Sequence, residues 1–159
     1  MKYVRNLSLV LALLSVPALA QDPEALNRFR TGYELMQKRS YRNAAIELEQ
    51  AVAIDTSYGN AHYVLAQAYK VLNEYDKAIA SFASARALGT KPERAARELG
   101  QLYHKAAISS FGQKKYRTAI GYFQNALEFN PQNAKAHYAM GLSYNGLRET
   151  AKAKAAFAK

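Results

Sequence analysis

The 159-residue sequence has no cysteine, and only 4 prolines and 8 glycines. Without cysteine there is no disulfide, no thiolate metal ligand and no cysteine nucleophile. The lipid-modified cysteine that tethers many exported bacterial proteins is missing too. Scarce proline and glycine leave long helices uninterrupted. Valine and isoleucine are few and scattered, and none of their runs alternates at period two, so no strand is expected. Beyond the first residues, no apolar stretch approaches the ~20 residues that a membrane-spanning helix needs.

Half of the sequence is hydrophobic, which excludes wholesale disorder. Alanine, the best helix former, is abundant. The first segment reads as a targeting signal. Lys2 and Arg5 give it a positive start, residues 7–16 a short apolar run, and Pro17-Ala18-Leu19-Ala20 an A-x-A cleavage site. Residues 1–20 are therefore expected to be a signal peptide cleaved after Ala20, with the remainder, 21–159, exported to the periplasm or secreted. The sequence carries 22 Lys+Arg against 12 Asp+Glu, and loss of Lys2 and Arg5 leaves 20 against 12. That charge is uneven: residues 21–98 hold 11 basic and 10 acidic groups, residues 99–159 hold 9 and 2.

Aligning the tyrosines exposes an internal repeat. Ser40-Tyr41-Arg42-Asn43-Ala44 recurs as Glu74-Tyr75-Asp76-Lys77-Ala78, a shift of 34, and as Lys115-Tyr116-Arg117-Thr118-Ala119, a further 41. Another alanine follows seven residues later each time, at Ala51, Ala85 and Ala126, with Leu48, Phe82 and Phe123 between. The preceding halves align as well: Ala61-His62-Tyr63 parallels Ala136-His137-Tyr138. A fourth copy runs through Ala153 and Phe157. Small residues at Gly32, Ala66, Ala107 and Gly141 would let a second helix approach, answered by Ala44, Ala78, Ala119 and Ala153. One helix pair cannot bury its apolar face alone, so the pairs must stack.

This pattern resembles the tetratricopeptide repeat family, whose 34-residue helix–turn–helix units carry a small–aromatic–small–aromatic–Pro signature. Three departures stand out. The usual Trp is replaced by Arg28, His62, Tyr103 and His137; the terminal Pro survives only as Pro131; and seven residues are inserted before the third unit. The resemblance implies an all-α, right-handed helical solenoid of three full repeats and a truncated fourth, at about 25–58, 59–92, 100–133 and 134–159. The insertion, 93–99, fits as two extra helical turns. Helices are expected at 23–38, 41–54, 59–72, 75–88, 91–112, 116–129, 134–146 and 150–158. Asp22-Pro23-Glu24 reads as a helix start, and Thr90-Lys91-Pro92-Glu93 has capping-box spacing. The last helix, alternating Ala and Lys around one Phe, either caps the stack or is covered by further chain or by a partner.

No catalytic constellation is present, and neither an enzyme nor a cofactor is expected. Gly141 to Gly146 has the glycine spacing of a phosphate loop, but Leu147-Arg148 stands where Lys-Ser/Thr is required. His62, His104 and His137 lie far apart with no ligand partner at helical spacing, so no metal site is expected.

The resemblance places Phe29, Tyr33, Tyr63, Gln67, Lys70, Gln101, His104, Lys105, Ile108, Tyr138, Leu142 and Asn145 in the concave groove, with Tyr63 and Tyr138 as the aromatic anchors. Members that clamp an acidic chaperone tail need basic and amide residues that Phe29, Tyr33, Val64 and Gln101 replace here; only Lys105 fits, so that partner class is rejected. The turns between paired helices form a basic edge: Lys38, Arg39 and Arg42; Lys114, Lys115 and Arg117; Arg148 and Lys152. The second turn, with Asn73, Glu74 and Lys77, is mixed. The expected function is a scaffold binding a protein or peptide in its groove. The alternative is a structural subunit of a cell-envelope assembly, docked through its basic edge and C-terminal end. An anionic envelope surface suits that edge better than nucleic acid, for which no motif is present.

Overall fold

The computed structural model describes residues 22–159; the signal peptide expected at 1–20 lies outside them. The described residues form eight α-helices and no strand: α1 (Pro23–Gln37), α2 (Tyr41–Ile54), α3 (Gly59–Val71), α4 (Tyr75–Ala87), α5 (Pro92–Gly112), α6 (Tyr116–Phe129), α7 (Ala134–Gly146) and α8 (Thr150–Phe157). Each odd helix packs on the even helix that follows, and each pair packs on the next pair. The odd helices also meet directly, α1 with α3 and α5 with α7. They form the inner wall of an all-α solenoid, because the elements on the inside of a curved stack are the ones drawn together.

Within each pair the packing repeats one device. Ala44, Ala78, Ala119 and Ala153 are fully or almost fully buried on the even helices. A small residue on the odd helix receives a large side chain sixteen residues later. A Cβ added at Gly32 would stand 2.7 Å from Leu48 Cγ, and one at Gly141 2.4 Å from the Phe157 ring. Ala66 with Phe82 and Ala107 with Phe123 occupy the equivalent places, and all four are fully buried. Close packing at this density leaves no room for a larger odd-helix residue.

The turn inside each pair is also uniform. Arg39, Asn73, Lys114 and Arg148 take left-handed φ values of 58°, 59°, 58° and 61°. The next amide then reaches back to the helix, from Ser40 to Leu35 O, Glu74 to Tyr69 O, Lys115 to Ser110 O and Glu149 to Tyr144 O, at 2.9–3.0 Å. This is the Schellman ending of a helix. Glycine would adopt it with least strain; Arg39, Lys114 and Arg148 are instead favoured by the negative end of the helix dipole, and Asn73 is of a type that tolerates this conformation.

Asp22 starts α1 as expected, its Oδ1 accepting from the amides of Glu24 (2.8 Å) and Ala25 (3.2 Å). The capping box expected at Thr90 does not form. Lys91 is the N-cap of α5, left-handed at φ 46° and without a side-chain cap. Thr90 is instead packed against α3, where a Cβ on Gly59 would meet its Oγ1. Residues 93–99 lie inside α5, which has 21 residues against 13 in α3.

Polar ties connect successive units. The Tyr69 hydroxyl donates to Glu49, Lys70 pairs with Glu98 at 2.6 Å, and the Tyr122 hydroxyl donates to Asp76. The bond to Asp76, then burial, pushes the Tyr122 phenol up to about 12, so it remains a donor at physiological pH.

Candidate interaction surfaces and a polar cavity

The twelve residues expected in one groove divide among several repeat positions with different surroundings. Phe29, Tyr63, His104 and Tyr138 occupy one position, three residues before the small residue of each odd helix. Their rings meet side chains of their own unit and, for Phe29 and Tyr63, of the unit boundary that follows. Tyr63 is only 2% exposed, edge-on to Phe82 at 5.3 Å, with the Lys91 ammonium 4.6 Å above its ring. It is a core residue and cannot anchor a partner in this conformation, because the first turn of α5 covers it. Phe29 is half-buried against Tyr58, ring centroids 4.9 Å apart. His104 lies edge-on to Phe123 at 5.8 Å. Tyr138 is 60% exposed, but its ring packs on Phe157 (5.5 Å) on the outer face of the fourth unit. Among the described residues no element packs over that face, so its exposure is no sign of a place in the groove.

The inner wall is carried by the next position: Tyr33, Gln67, Ile108 and Leu142. Tyr33 and Ile108 are 48% and 47% exposed, and Gln67 and Leu142 are half-buried. Gln101, Lys105 and Asn145 are exposed on the odd helices as well. Lys70 is not available, since its ammonium is held by the half-buried Glu98.

All eight residues of the basic edge are exposed. They do not form one stripe. Lys152 is paired with Glu149 at 2.7 Å. The second turn interposes Glu74 and Asp76, with Glu74 paired to Lys77 at 2.9 Å. Among the described residues the edge cations outside ion pairs are Lys38, Arg39 and Arg42 in the first unit, Lys114, Lys115 and Arg117 in the third, and Arg148 in the fourth. His62 and His137 take the same part in their units: each Nε2 lies within hydrogen-bond distance of a carbonyl six residues back, Thr56 O at 3.0 Å and Pro131 O at 2.9 Å. Among the described residues no cluster of three or more His, Asp or Glu side chains could hold a metal, and no helix is long and apolar enough to cross a membrane.

One feature escaped the sequence reading. Between the third and fourth units lies a cavity of about 490 Å³. Arg97, Gly100, Gln101, His104 and Lys105 of α5 line it, with Ala126 and Phe129 of α6 and the connecting Asn130 and Asn133. A Cβ at Gly100 would come within 2.9 Å of Phe129 Cβ, so glycine lets α5 close against that ring. Burial, and then the charge of Lys135, hold the His104 imidazole below its ordinary 6.5, and its Nδ1 is buried without a hydrogen-bond partner.

A tetratricopeptide repeat family model matches residues 59–85, which cover α3 and most of α4. No curated protein matches the sequence. Solved structures of MamA are similar in fold. MamA AMB-1 is 18% identical, with 87% of this chain and 74% of that one covered and a TM-score of 0.56. MamA residues 41 to the end from Desulfovibrio magneticus RS-1 is 20% identical, with 86% and 73% covered and a TM-score of 0.50. A further MamA crystal structure is 26% identical, with 86% and 77% covered and a TM-score of 0.49. The chain therefore has a tetratricopeptide-type fold with one repeat directly matched.

Proposed function

We propose that this chain is an exported solenoid scaffold that binds a protein or peptide along the inner wall formed by its odd helices. The observation that carries the reading is the row Tyr33, Gln67, Ile108 and Leu142. It repeats once per unit, sits on rigid helices, and leaves two large apolar side chains half-exposed. Such side chains bury contact area at small entropic cost when a partner arrives. The fold does not need them for its own core.

The test is capture from an envelope extract by three variant sets. Tyr33→Ala with Ile108→Ala should weaken capture by about 1–3 kcal/mol if these are interface hot spots. Lys114→Gln, Lys115→Gln and Arg117→Gln together should matter less. A second reading, docking into an envelope assembly, is favoured by the exposed Tyr138–Phe157 pair on the fourth unit. It would replace the first if Tyr138→Ser abolished capture and the inner-wall pair did not. Export is tested separately by amino-terminal sequencing of the protein recovered from the envelope. Gln21 at the terminus supports it; an intact first segment overturns it.

A further inference from the structure

Three junctions, numbered in chain order, join the four units, and the second differs from the others at the turn edge. Arg39 and Arg42 of the first turn, and Lys114 and Arg117 of the third, correspond to Asn73 and Asp76 in the second. Beside that turn, between the second and third units, lies a cavity of about 480 Å³. Residues 73–77 form one side of it, and the end of α5 with the first turns of α6 the other.

The repeat shows what opens this space. In the second unit the Lys77 ammonium stands 5.0 Å above the Tyr69 ring, and in the fourth Lys152 stands 5.7 Å above Tyr144. The third unit has Ser110 in place of that tyrosine and Thr118 in place of that lysine. Two neighbours change with them. Ala106 corresponds to Leu65 and Met140, and Gln113 to Leu72 and Leu147. A ring, an ammonium and two apolar side chains are thus exchanged for two small hydroxyls, a methyl and an amide. The grooves beside Tyr69 and Tyr144 do not extend to the turn of the preceding unit, whereas the one beside Ser110 does.

The lining of the cavity is polar, balanced in charge and held in place. Every lining residue except Ala106 carries a polar group, and the carboxylates of Glu74 and Asp76 are matched by the ammonium groups of Lys77 and Lys115. Glu74 pairs with Lys77 at 2.9 Å, while Asp76 and Lys115 lie outside ion pairs among the described residues. The Tyr75 hydroxyl donates to Asn73 at 3.0 Å, the Gln113 amide to Ser109 at 3.2 Å, and the Tyr122 hydroxyl to Asp76. Tyr122 stands where Ser81 and Ala156 stand in the neighbouring units, and its ring is braced by that of Tyr103 at 6.3 Å. A charged ligand of either sign would meet like charge here. An apolar one would strip water from the hydroxyls and amides without replacing their bonds. The volume lies within the ~300–1,000 Å³ of small-molecule sites.

We propose that the cavity between the second and third units binds a neutral sugar, its hydroxyls exchanging hydrogen bonds with Asp76, Gln113, Lys115 and Thr118, and one C–H face resting on the Tyr122 ring. A pyranose carries donors and acceptors around its rim, which suits a lining that mixes both. Its faces present C–H bonds, whose positive polarisation suits the negative face of an aromatic ring. The site is on the turn edge and not on the inner wall, so either reading can fail without the other. The sugar could be free or one residue of an envelope glycan, and the chemistry at the cavity is the same.

The experiment is a titration of isotope-labelled protein, following the Ser110 amide and the Thr118 methyl by NMR. The probes are glucose, galactose, mannose and N-acetylglucosamine, the β-1,4-linked tetramers of glucose and of N-acetylglucosamine, and cyclohexanol, a ring of pyranose size with a single hydroxyl. At least one sugar should shift both signals, and cyclohexanol should shift neither at the same concentration. Tighter binding of a tetramer than of its monomer identifies a glycan site; equal or weaker binding identifies a site for free sugar. Gln113→Leu with Thr118→Lys returns two exposed positions to the residues of the other units. It should weaken the sugar by roughly tenfold, the weight of one or two hydrogen bonds, without lowering the melting temperature. Ser110→Tyr with Tyr122→Ser moves the ring back to the odd helix, where the second and fourth units carry it, and should abolish binding. No response to any sugar up to its solubility limit, as for a cavity that holds water only, overturns the proposal. So does an equal response to cyclohexanol, or full affinity in the Gln113/Thr118 variant.

Discussion

The first and third junctions stand at equivalent places in the repeat and differ in what fills them. Phe29 lies against Tyr58 with ring centroids 4.9 Å apart; at the same two positions of the third junction His104 and Asn133 border a cavity. Both junctions keep two buried alanines, Ala51 and Ala61 in the first and Ala126 and Ala136 in the third, and the pairing of a small residue with a large one inside each unit. The device that holds a unit together is thus separate from the filling that lies between units. Stacking energy is spread over neighbouring interfaces, so one junction can lose apolar contact while the solenoid persists. Such a junction is where a repeat protein can place a polar site without redesigning its fold.

That contrast can be broken most strongly at the filled junction. Tyr58→Ala removes a buried ring from the first junction and should cost about 3 kcal/mol or more of stability. Asn133→Ala at the same place in the third removes the cap whose Oδ1 accepts from the Ala136 amide at 3.2 Å, and should cost about 1 kcal/mol. Urea unfolding of both variants measures the difference. Equal losses would show that the two junctions carry the same load.

A smaller effect separates them by pH. His104 is held below its ordinary 6.5 by burial and then by Lys135; Arg97 and Lys105 flank it on its own helix, and the residues lining the cavity from α6 and the connection to α7 include no carboxylate. The folded protein therefore keeps the imidazole neutral where the unfolded chain would take up a proton. Its contribution is complete above the unfolded value and is lost as pH falls through about 6.5 and below. Taking the protein from about pH 7.5 to about 5.5 should lower its melting temperature more than it lowers that of His104→Phe, because phenylalanine at this position does not titrate. Identical pH profiles for the two proteins would remove the imidazole from the account of this junction.

The smallest expected change is at the edge of the third unit. Lys114→Gln, Lys115→Gln and Arg117→Gln together should leave stability within about 0.5 kcal/mol, since all three are exposed. If this group contacts an anionic partner, the salt dependence of binding should fall with it, because exposed charges are screened beyond ~8 Å at physiological ionic strength. Replacing Lys38, Arg39 and Arg42 gives the matching measurement at the edge of the first unit.

The helices and their pairing were legible in the sequence because they depend on local chemistry. Asp22 caps α1, the tyrosines at 41, 75 and 116 begin even helices, and small residues recur where an opposing side chain must enter. Residues on one repeat position were legible too: 29, 63, 104 and 138 align without any structure. What that position faces was not. A sequence gives the face of a helix but not the curvature of the stack, and the curvature decides whether a side chain looks inward or into the next unit. Tyr63 was expected at the surface for that reason, and the first turn of α5, added by the seven inserted residues, covers it. The change from Leu26, Phe29 and Tyr58 to Gln101, His104 and Asn133 was readable as an alignment of the chain with itself. It carries meaning only once the first junction shows that those three side chains touch.

The sequence by itself determined that this chain is a stack of helix pairs, since helix periodicity, caps and a repeated small residue act over a few residues and leave no competing fold. Only the tertiary structure decided which repeated residues are core, which form an open wall and which border a cavity. Those outcomes depend on distances between units, and such distances are set by the packing of side chains far apart along the chain.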